Sequence, residues 1–149
     1  ARGKIGDLAL ASPDEFDAVI LPGGYGAALN LSDFALNGPG CRVQPEVERF
    51  LRGMLTRKKP IGALCIAPAT LARILEAAGL RAKLTIGSDA GTAGAIAKMG
   101  QEHVDCAATD VLVDRENRIV TTPCYMLAGR ISEVAEGAEK AVRELLRMA

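Results

Sequence analysis

One residue in this 149-residue chain joins a reactive side chain to a position that would activate it: Cys65, in the tetrapeptide Leu64-Cys65-Ile66-Ala67. Upstream, Pro60-Ile61-Gly62-Ala63-Leu64 is an apolar run of strand length. Downstream, the segment from Ile66 to Leu75 is rich in Ala and Leu and continues to a stop signal at Gly79. A cysteine between a strand and a helix N-terminus faces unpaired backbone N–H groups and the positive end of the helix dipole, and both favour thiolate over thiol. Gly62, Ala63 and Ala67 are small enough for the tight turn of a nucleophile elbow. The chemistry implied is attack by sulfur on an electrophilic carbon. The competing reading is a buried structural thiol, since free cysteine is among the most buried residue types. Position alone leaves the two level.

Other residues could serve such a nucleophile. Gly23-Gly24-Tyr25-Gly26 lacks the Lys-Ser/Thr of a P-loop and the full dinucleotide fingerprint, so it reads as a turn whose backbone approaches a ligand. Ser88 and Asp89 follow a strand-like run, and Asp89 is either a site residue or a helix N-cap. Thr121, Thr122 and Pro123 end a further strand-like run. Of these, Thr122 and Pro123 join Ser88 and Asp89 as candidates to line a pocket. Cys124 beside them reads as a small buried apolar residue. His103, the single histidine, follows the helix stop at Gly100 and opens a strand, which places it away from strand carboxyl ends in a structural role. Arg57-Lys58-Lys59 reads as a solvated helix end.

The elements that must position these residues alternate. Asp17-Ala18-Val19-Ile20-Leu21 is a strand ending in the turn Pro22-Gly23-Gly24, and a polar, glycine-containing loop is expected to about Gly40. Pro45-Glu46 opens a helix carrying Val47, Phe50, Leu51, Met54 and Leu55 at helical spacing. The elbow strand and helix follow, then a third strand Lys83-Leu84-Thr85-Ile86-Gly87 and a short helix from Thr92 to Met99. Val111-Leu112-Val113 and Arg118-Ile119-Val120-Thr121 flank Asp114-Arg115-Glu116-Asn117 as a hairpin. The last helix is expected from Met126 to Met148, with Leu127, Ile131, Val134, Ala138, Val142 and Leu145 on its buried stripe. This order predicts an α/β fold, a mostly parallel sheet covered on both faces, in which ligands bind outside the strand carboxyl ends. Gly23-Gly24, Cys65 and Gly87-Ser88-Asp89 all fall at such ends.

Composition limits the partners. Eighteen basic and 18 acidic residues balance, so nothing draws the chain to nucleic acid or an anionic membrane. There is no apolar run long enough to span a bilayer, and the first residues carry no signal-peptide pattern. Cys41, Cys65, Cys106 and Cys124 lie far apart with no C-x-x-C pair, which argues against a zinc ribbon and predicts no metal site. The spacing reads as reduced thiols, with a cytoplasmic location expected and a mitochondrial one as the alternative. A chain of this length can bury one core, so residues 1–149 are expected to form a single domain.

Four blocks carry a resemblance: Leu-Pro-Gly-Gly-Tyr-Gly-Ala-Ala-Leu-Asn-Leu-Ser at 21–32, Pro-Ile-Gly-Ala-Leu-Cys-Ile-Ala-Pro-Ala at 60–69, Leu-Thr-Ile-Gly-Ser-Asp at 84–89 and Ile-Val-Thr-Thr-Pro-Cys-Tyr-Met at 119–126. Their order and spacing resemble the ElbB proteins, the isoprenoid-biosynthesis or glyoxalase ElbB group of the ThiJ/PfpI, class I glutamine-amidotransferase-like superfamily. The resemblance implies a flavodoxin-like sandwich with its reactive cysteine at Cys65. It implies glyoxalase III-type, deglycase-like conversion of small 2-oxoaldehydes such as glyoxal and methylglyoxal to hydroxy acids, without a cofactor. Members of the group begin with a strand, a loop bearing a glutamate, and a helix. Ala1-Arg2-Gly3-Lys4-Ile5 matches a stretch well inside that pattern, so the chain is expected to hold the C-terminal two-thirds of the domain and weak or no activity. Glu15 lies on the wrong side of the first strand to replace the glutamate. A sheet edge left open in this way favours association, and a homo-oligomer is expected.

On the enzyme reading, the Cys65 sulfur adds to the aldehyde carbon, and the N–H groups of Ile66 and of Gly24, with Gly23 setting the turn, hold the oxyanion. A base then moves a proton between the two carbons. The second reading is a non-catalytic, redox-sensing or regulatory protein whose Cys65 is oxidised to sulfenic or sulfinic acid. An amidotransferase would need a His-x-Glu pair late in the chain, and residues 121–125 contain neither. Peptidase relatives place a histidine directly after the cysteine, where this chain has Ile66.

Overall fold

The computed structural model describes residues 3–149. Ala1 and Arg2 lie outside the described residues, and with them the start of the stretch on which the expectation of an upstream region rests. A four-stranded sheet is built from β1 (Val19–Leu21), β2 (Ile61–Leu64), β5 (Leu112–Asp114) and β6 (Ile119–Thr122), in the order β1-β2-β6-β5. Strands β1, β2 and β6 are parallel, and β5 returns antiparallel to β6 as the expected hairpin. The register pairs Leu21 with Ala63, and Leu64 with Thr122. A separate parallel pair is formed by β3 (Lys83–Leu84) and β4 (Glu102–His103).

Helix α3 (Pro45–Thr56) starts at the expected Pro45, and the Gln44 side chain accepts the Val47 N–H as its cap. Helix α4 (Ala67–Ala77) packs Leu71, Ile74 and Leu75, all fully buried, against Ile61, Ala63 and Ile119 on one face of the sheet. Helix α6 (Ile131–Met148) covers the other face, where Ala141 and Leu145 meet Val120. This is the mostly parallel, doubly covered α/β arrangement that the alternation predicts.

Four expectations are corrected. Residues 22–40 are not a plain loop, because they hold α1 (Tyr25–Asn30) and α2 (Phe34–Asn37). Gly24, at φ 89°, supplies the entry to α1 with no side-chain cap. The third strand ends at Leu84 because side chains take over the next N–H groups. Thr85 N–H donates to Thr121 Oγ1 (3.0 Å), Ile86 N–H to His103 Nε2 (3.4 Å) and Gly87 N–H to Thr85 Oγ1 (3.0 Å). The final helix begins at Ile131, after a 3-10 turn over Cys124–Met126, and its fully buried positions are Gly137, Ala141 and Leu145. Ile131 is 76% exposed and Val142 42%. Small residues define the buried stripe: a Cβ at Gly137 would lie 2.8 Å from both Ala108 O and Thr122 Oγ1. Finally, Arg57 and Lys59 are not simply solvated. The Arg57 guanidinium pairs with Asp14, and Lys59 Nζ donates to the Pro13 carbonyl (2.9 Å), fastening the 3-10 turn Pro13–Glu15 to α3. The short helix over Thr92–Met99 is observed as α5 (Ala90–Lys98).

Candidate functional site

Cys65 stands between β2 and α4 with φ 59°, in the left-handed region that costs a non-glycine residue about 1–2 kcal/mol. Its N–H donates to Thr122 O (3.0 Å), the last rung of the β2–β6 ladder. Ile66 is then right-handed, and Ala67 and Pro68 begin α4, with Pro68 suited to a first turn that needs no N–H. A residue forced out of the favoured regions at a strand-to-helix turn is the geometry of a nucleophile elbow, and such strain collects at functional sites.

The 22–26 turn lies against this elbow. At Gly23, φ 84°, an added Cβ would sit 2.4 Å from Leu64 O and 2.8 Å from Cys65 Cβ, so only glycine fits. Gly24, Tyr25 and Ala28 from one side, Phe34 and Ala35 from α2, and Cys65, Ile66 and Met126 from the other enclose a cavity of about 310 Å³. The lining is almost wholly apolar, and no carboxylate, histidine or lysine side chain lines it among the described residues. The Gly24 and Ile66 N–H groups have no protein acceptor among the described residues, and both residues line the cavity with Cys65.

Burial, the largest cause in each case, pushes the thiols of Cys41, Cys106 and Cys124 up from their ordinary value. For Cys124 the neighbouring Cys65 adds to that shift, while the Cys65 N–H works against it. Only Cys65 lines the cavity.

The remaining sequence candidates are placed elsewhere. Ser88 is exposed and does not line the cavity. Asp89 caps α5, accepting the Thr92 N–H at 2.8 Å, and the hydrogen bonds from Thr92 hold its carboxyl below the usual range. Thr122 turns its hydroxyl to the Asp110 carbonyl (2.8 Å), towards α6, and reaches Cys65 only through its own carbonyl. Pro123 packs beside Gly87. His103 ends β4 rather than opening a strand, so it lies at that strand's carboxyl end and not away from it; its Nε2 accepts the Ile86 N–H there, and burial lowers its pKa while Asp105 acts in the opposite sense. Sequence reasoning missed Ala28, Phe34, Ala35 and Met126, and took Tyr25 only as part of the 23–26 turn. The i, i+3 spacing of Tyr25 and Ala28 was the available signal for a helical wall.

A larger cleft of about 540 Å³ lies at the opposite, amino-terminal end of the parallel strands, lined by Arg81, Lys83, Glu102, Asp114, Arg115 and Glu116. Burial opposes ionisation of Asp114 there, but bonds from Asn117 and the Lys83 N–H outweigh it and hold the carboxyl low. Among the described residues no cysteine lines that cleft.

A mostly parallel α/β sheet with a left-handed cysteine at a strand-to-helix turn places the chain in the doubly wound α/β class. The chain belongs to the DJ-1/PfpI family, which it matches over residues 6–123. It is 39% identical over 157 residues to the ES1 protein homolog, mitochondrial, of Rattus norvegicus, covering 99% of this chain and 58% of the rat protein. It is 40% identical to the human glutamine amidotransferase-like class 1 domain-containing protein 3, mitochondrial, covering 99% of this chain and 57% of that one. The chain therefore spans less than two thirds of these relatives. Among solved structures, the isoprenoid biosynthesis protein with amidotransferase-like domain from Ehrlichia chaffeensis superposes with a TM-score of 0.89 at 34% identity, over 99% of this chain and 66% of that one. Drosophila melanogaster DJ-1beta superposes at 0.53 with 26% identity, over 95% of this chain and 69% of that one.

Proposed function

We propose that this chain carries the thiol half of an ElbB-like, cofactor-independent glyoxalase site acting on small 2-oxoaldehydes. The observation that carries the reading is Cys65 on the wall of an apolar cavity that Gly24 and Ile66 also line, their N–H groups without a protein acceptor among the described residues. The Cys65 sulfur adds to the aldehyde carbon of methylglyoxal, and the two N–H groups hold the resulting oxyanion. A base moves the proton from that carbon to the neighbouring one through an enediol, giving a thioester of lactate on Cys65. Water then releases lactate and restores the thiol.

Among the described residues the cavity walls supply no such base. We read residues 1–149 as the C-terminal part of a longer single domain, in which an upstream glutamate performs the proton transfer. By likeness to the mammalian relatives the protein works in mitochondria rather than in the cytoplasm.

The test is incubation with methylglyoxal, followed by intact-mass, peptide and lactate analysis. A methylglyoxal adduct on Cys65, with little lactate, is expected for this chain. A form extended upstream through the acidic residue should produce lactate, and Cys65→Ala should abolish both adduct and product. Lactate formed at an undiminished rate by Cys65→Ala would overturn the reading.

The second reading, a redox-sensing protein without turnover, draws on the same accessible thiol. No lactate from the extended form, together with reversible oxidation of Cys65 by peroxide, would favour it.

A further inference from the structure

Two cysteines far apart in sequence end neighbouring strands. The β2–β6 register ends at the pair Leu64 and Thr122, and the last rung of that pair is the Cys65 N–H bond to Thr122 O (3.0 Å), so Cys65 leaves the sheet beside Thr122 and Pro123. Cys124 is the next residue. The two are neighbours, since both the Cys65 side chain and the Cys65 N–H act on the Cys124 thiol, and a disulfide between residues brought together in this way needs Cα atoms about 4.4–6.8 Å apart. Both residues are left-handed, Cys65 at φ 59° and Cys124 at φ 47°, so both strand ends turn sharply at the same level. Cys124 is 5% exposed, whereas Cys65 lines the open cavity.

We propose that Cys124 is the resolving thiol of Cys65, so that a hydroperoxide closes a Cys65–Cys124 disulfide across the ends of β2 and β6. The Cys65 thiolate attacks one peroxide oxygen, the O–O bond breaks, and hydroxide or alkoxide leaves, giving a sulfenic acid on Cys65. The Cys124 sulfur then attacks the Cys65 sulfur, the S–O bond breaks, and water departs with the Cys124 proton. The two thiols supply two electrons, and the peroxide accepts them. Cys65 reacts first because it is the half-buried member that lines the open cavity, and the buried Cys124 has only to reach its neighbour. The disulfide keeps Cys65 from further oxidation to the sulfinic acid, which ordinary thiols do not reverse. The inference uses the accessibility of Cys65 but not its aldehyde chemistry, so peroxide tests it independently of methylglyoxal.

The sequence makes the product easy to read. Tryptic peptides 59–73 and 119–130 each contain one of the two cysteines and no other. After hydrogen peroxide and alkylation of remaining thiols, the expected result is a cross-link between these two peptides, in a monomer lighter by two hydrogens. Dithiothreitol should restore both thiols. In Cys124→Ser the cross-link should vanish, Cys65 should gain two oxygens, and its dithiothreitol-recoverable fraction should fall from most to a small minority. If that variant does not fold, the cross-link map of the unaltered chain still decides. Cys65 as sulfinic acid with Cys124 alkylated, or a disulfide joining Cys65 to Cys41 or Cys106, would overturn the proposal.

Discussion

At Cys65, strain and position have one origin. The residue makes the last rung of the β2–β6 ladder through its N–H, then must turn at once into α4, and φ 59° satisfies both. The glycine opposite is equally constrained. Replacing Gly23 by alanine puts a Cβ onto Leu64 O and Cys65 Cβ at a backbone angle that alanine resists. Overpacking of this kind costs about 1–3 kcal/mol. Gly23→Ala should therefore lower the unfolding free energy by about that amount and alter the alkylation rate of Cys65, both readable by urea titration and thiol labelling. Unchanged stability and labelling would mean that the turn does not press on the elbow.

The elements themselves show what a sequence reveals and what it hides. Strands β1 and β2, helices α3 and α4 and the β5–β6 hairpin were legible because apolar runs, prolines and glycines mark their ends. Helices α1 and α2 were hidden in glycine, serine and asparagine, and with them went the Tyr25, Phe34 and Ala35 walls of the cavity. Cys65, Gly23, Gly24 and Ile66 do lie together, since local turn chemistry fixes them. Ser88, Asp89 and the side chains of Thr122 and Pro123 were not, because strand ends alone do not say which way a side chain points. The stripe of α6 was misread because counting large residues overlooks a helix that approaches through small ones. That point is testable at Gly137. Alanine there gains up to about 1 kcal/mol of helix propensity, but its Cβ would meet Ala108 O and Thr122 Oγ1 at 2.8 Å. Overpacking costs about 1–3 kcal/mol, so the clash wins. Gly137→Ala should lower the denaturation midpoint, and a raised midpoint would show that α6 can withdraw from the sheet.

For the molecule as a whole, His103 links the small β3–β4 sheet to the segment that runs back over β6. Its side chain is 9% exposed, and Nε2 accepts the Ile86 N–H, a bond that protonation of Nε2 removes. Burial lowers its pKa below the ordinary 6.5, against the opposing pull of Asp105. The unfolded chain thus binds this proton more readily than the folded one, and stability rises with pH across that window. The His103 contribution should be complete above pH 6.5 and lost as pH falls through the lowered folded value. Asp14, Asp33, Asp89 and Asp114, all held below 3.8, act only at lower pH. Urea midpoints taken between about pH 5 and 7 should therefore drop on acidification, and His103→Gln should flatten the drop. An equally steep drop in that variant would remove His103 from the account. The central claim is that the fold presents Cys65 as its reactive thiol, since it lines the cavity at the strand-to-helix turn, while burial pushes the Cys41, Cys106 and Cys124 thiols up. Limited iodoacetamide labelling at neutral pH with peptide mapping tests it most directly. Labelling of peptide 59–73 before the other three cysteine peptides is the predicted result, and earlier labelling of Cys41 or Cys106 with Cys65 protected would contradict it.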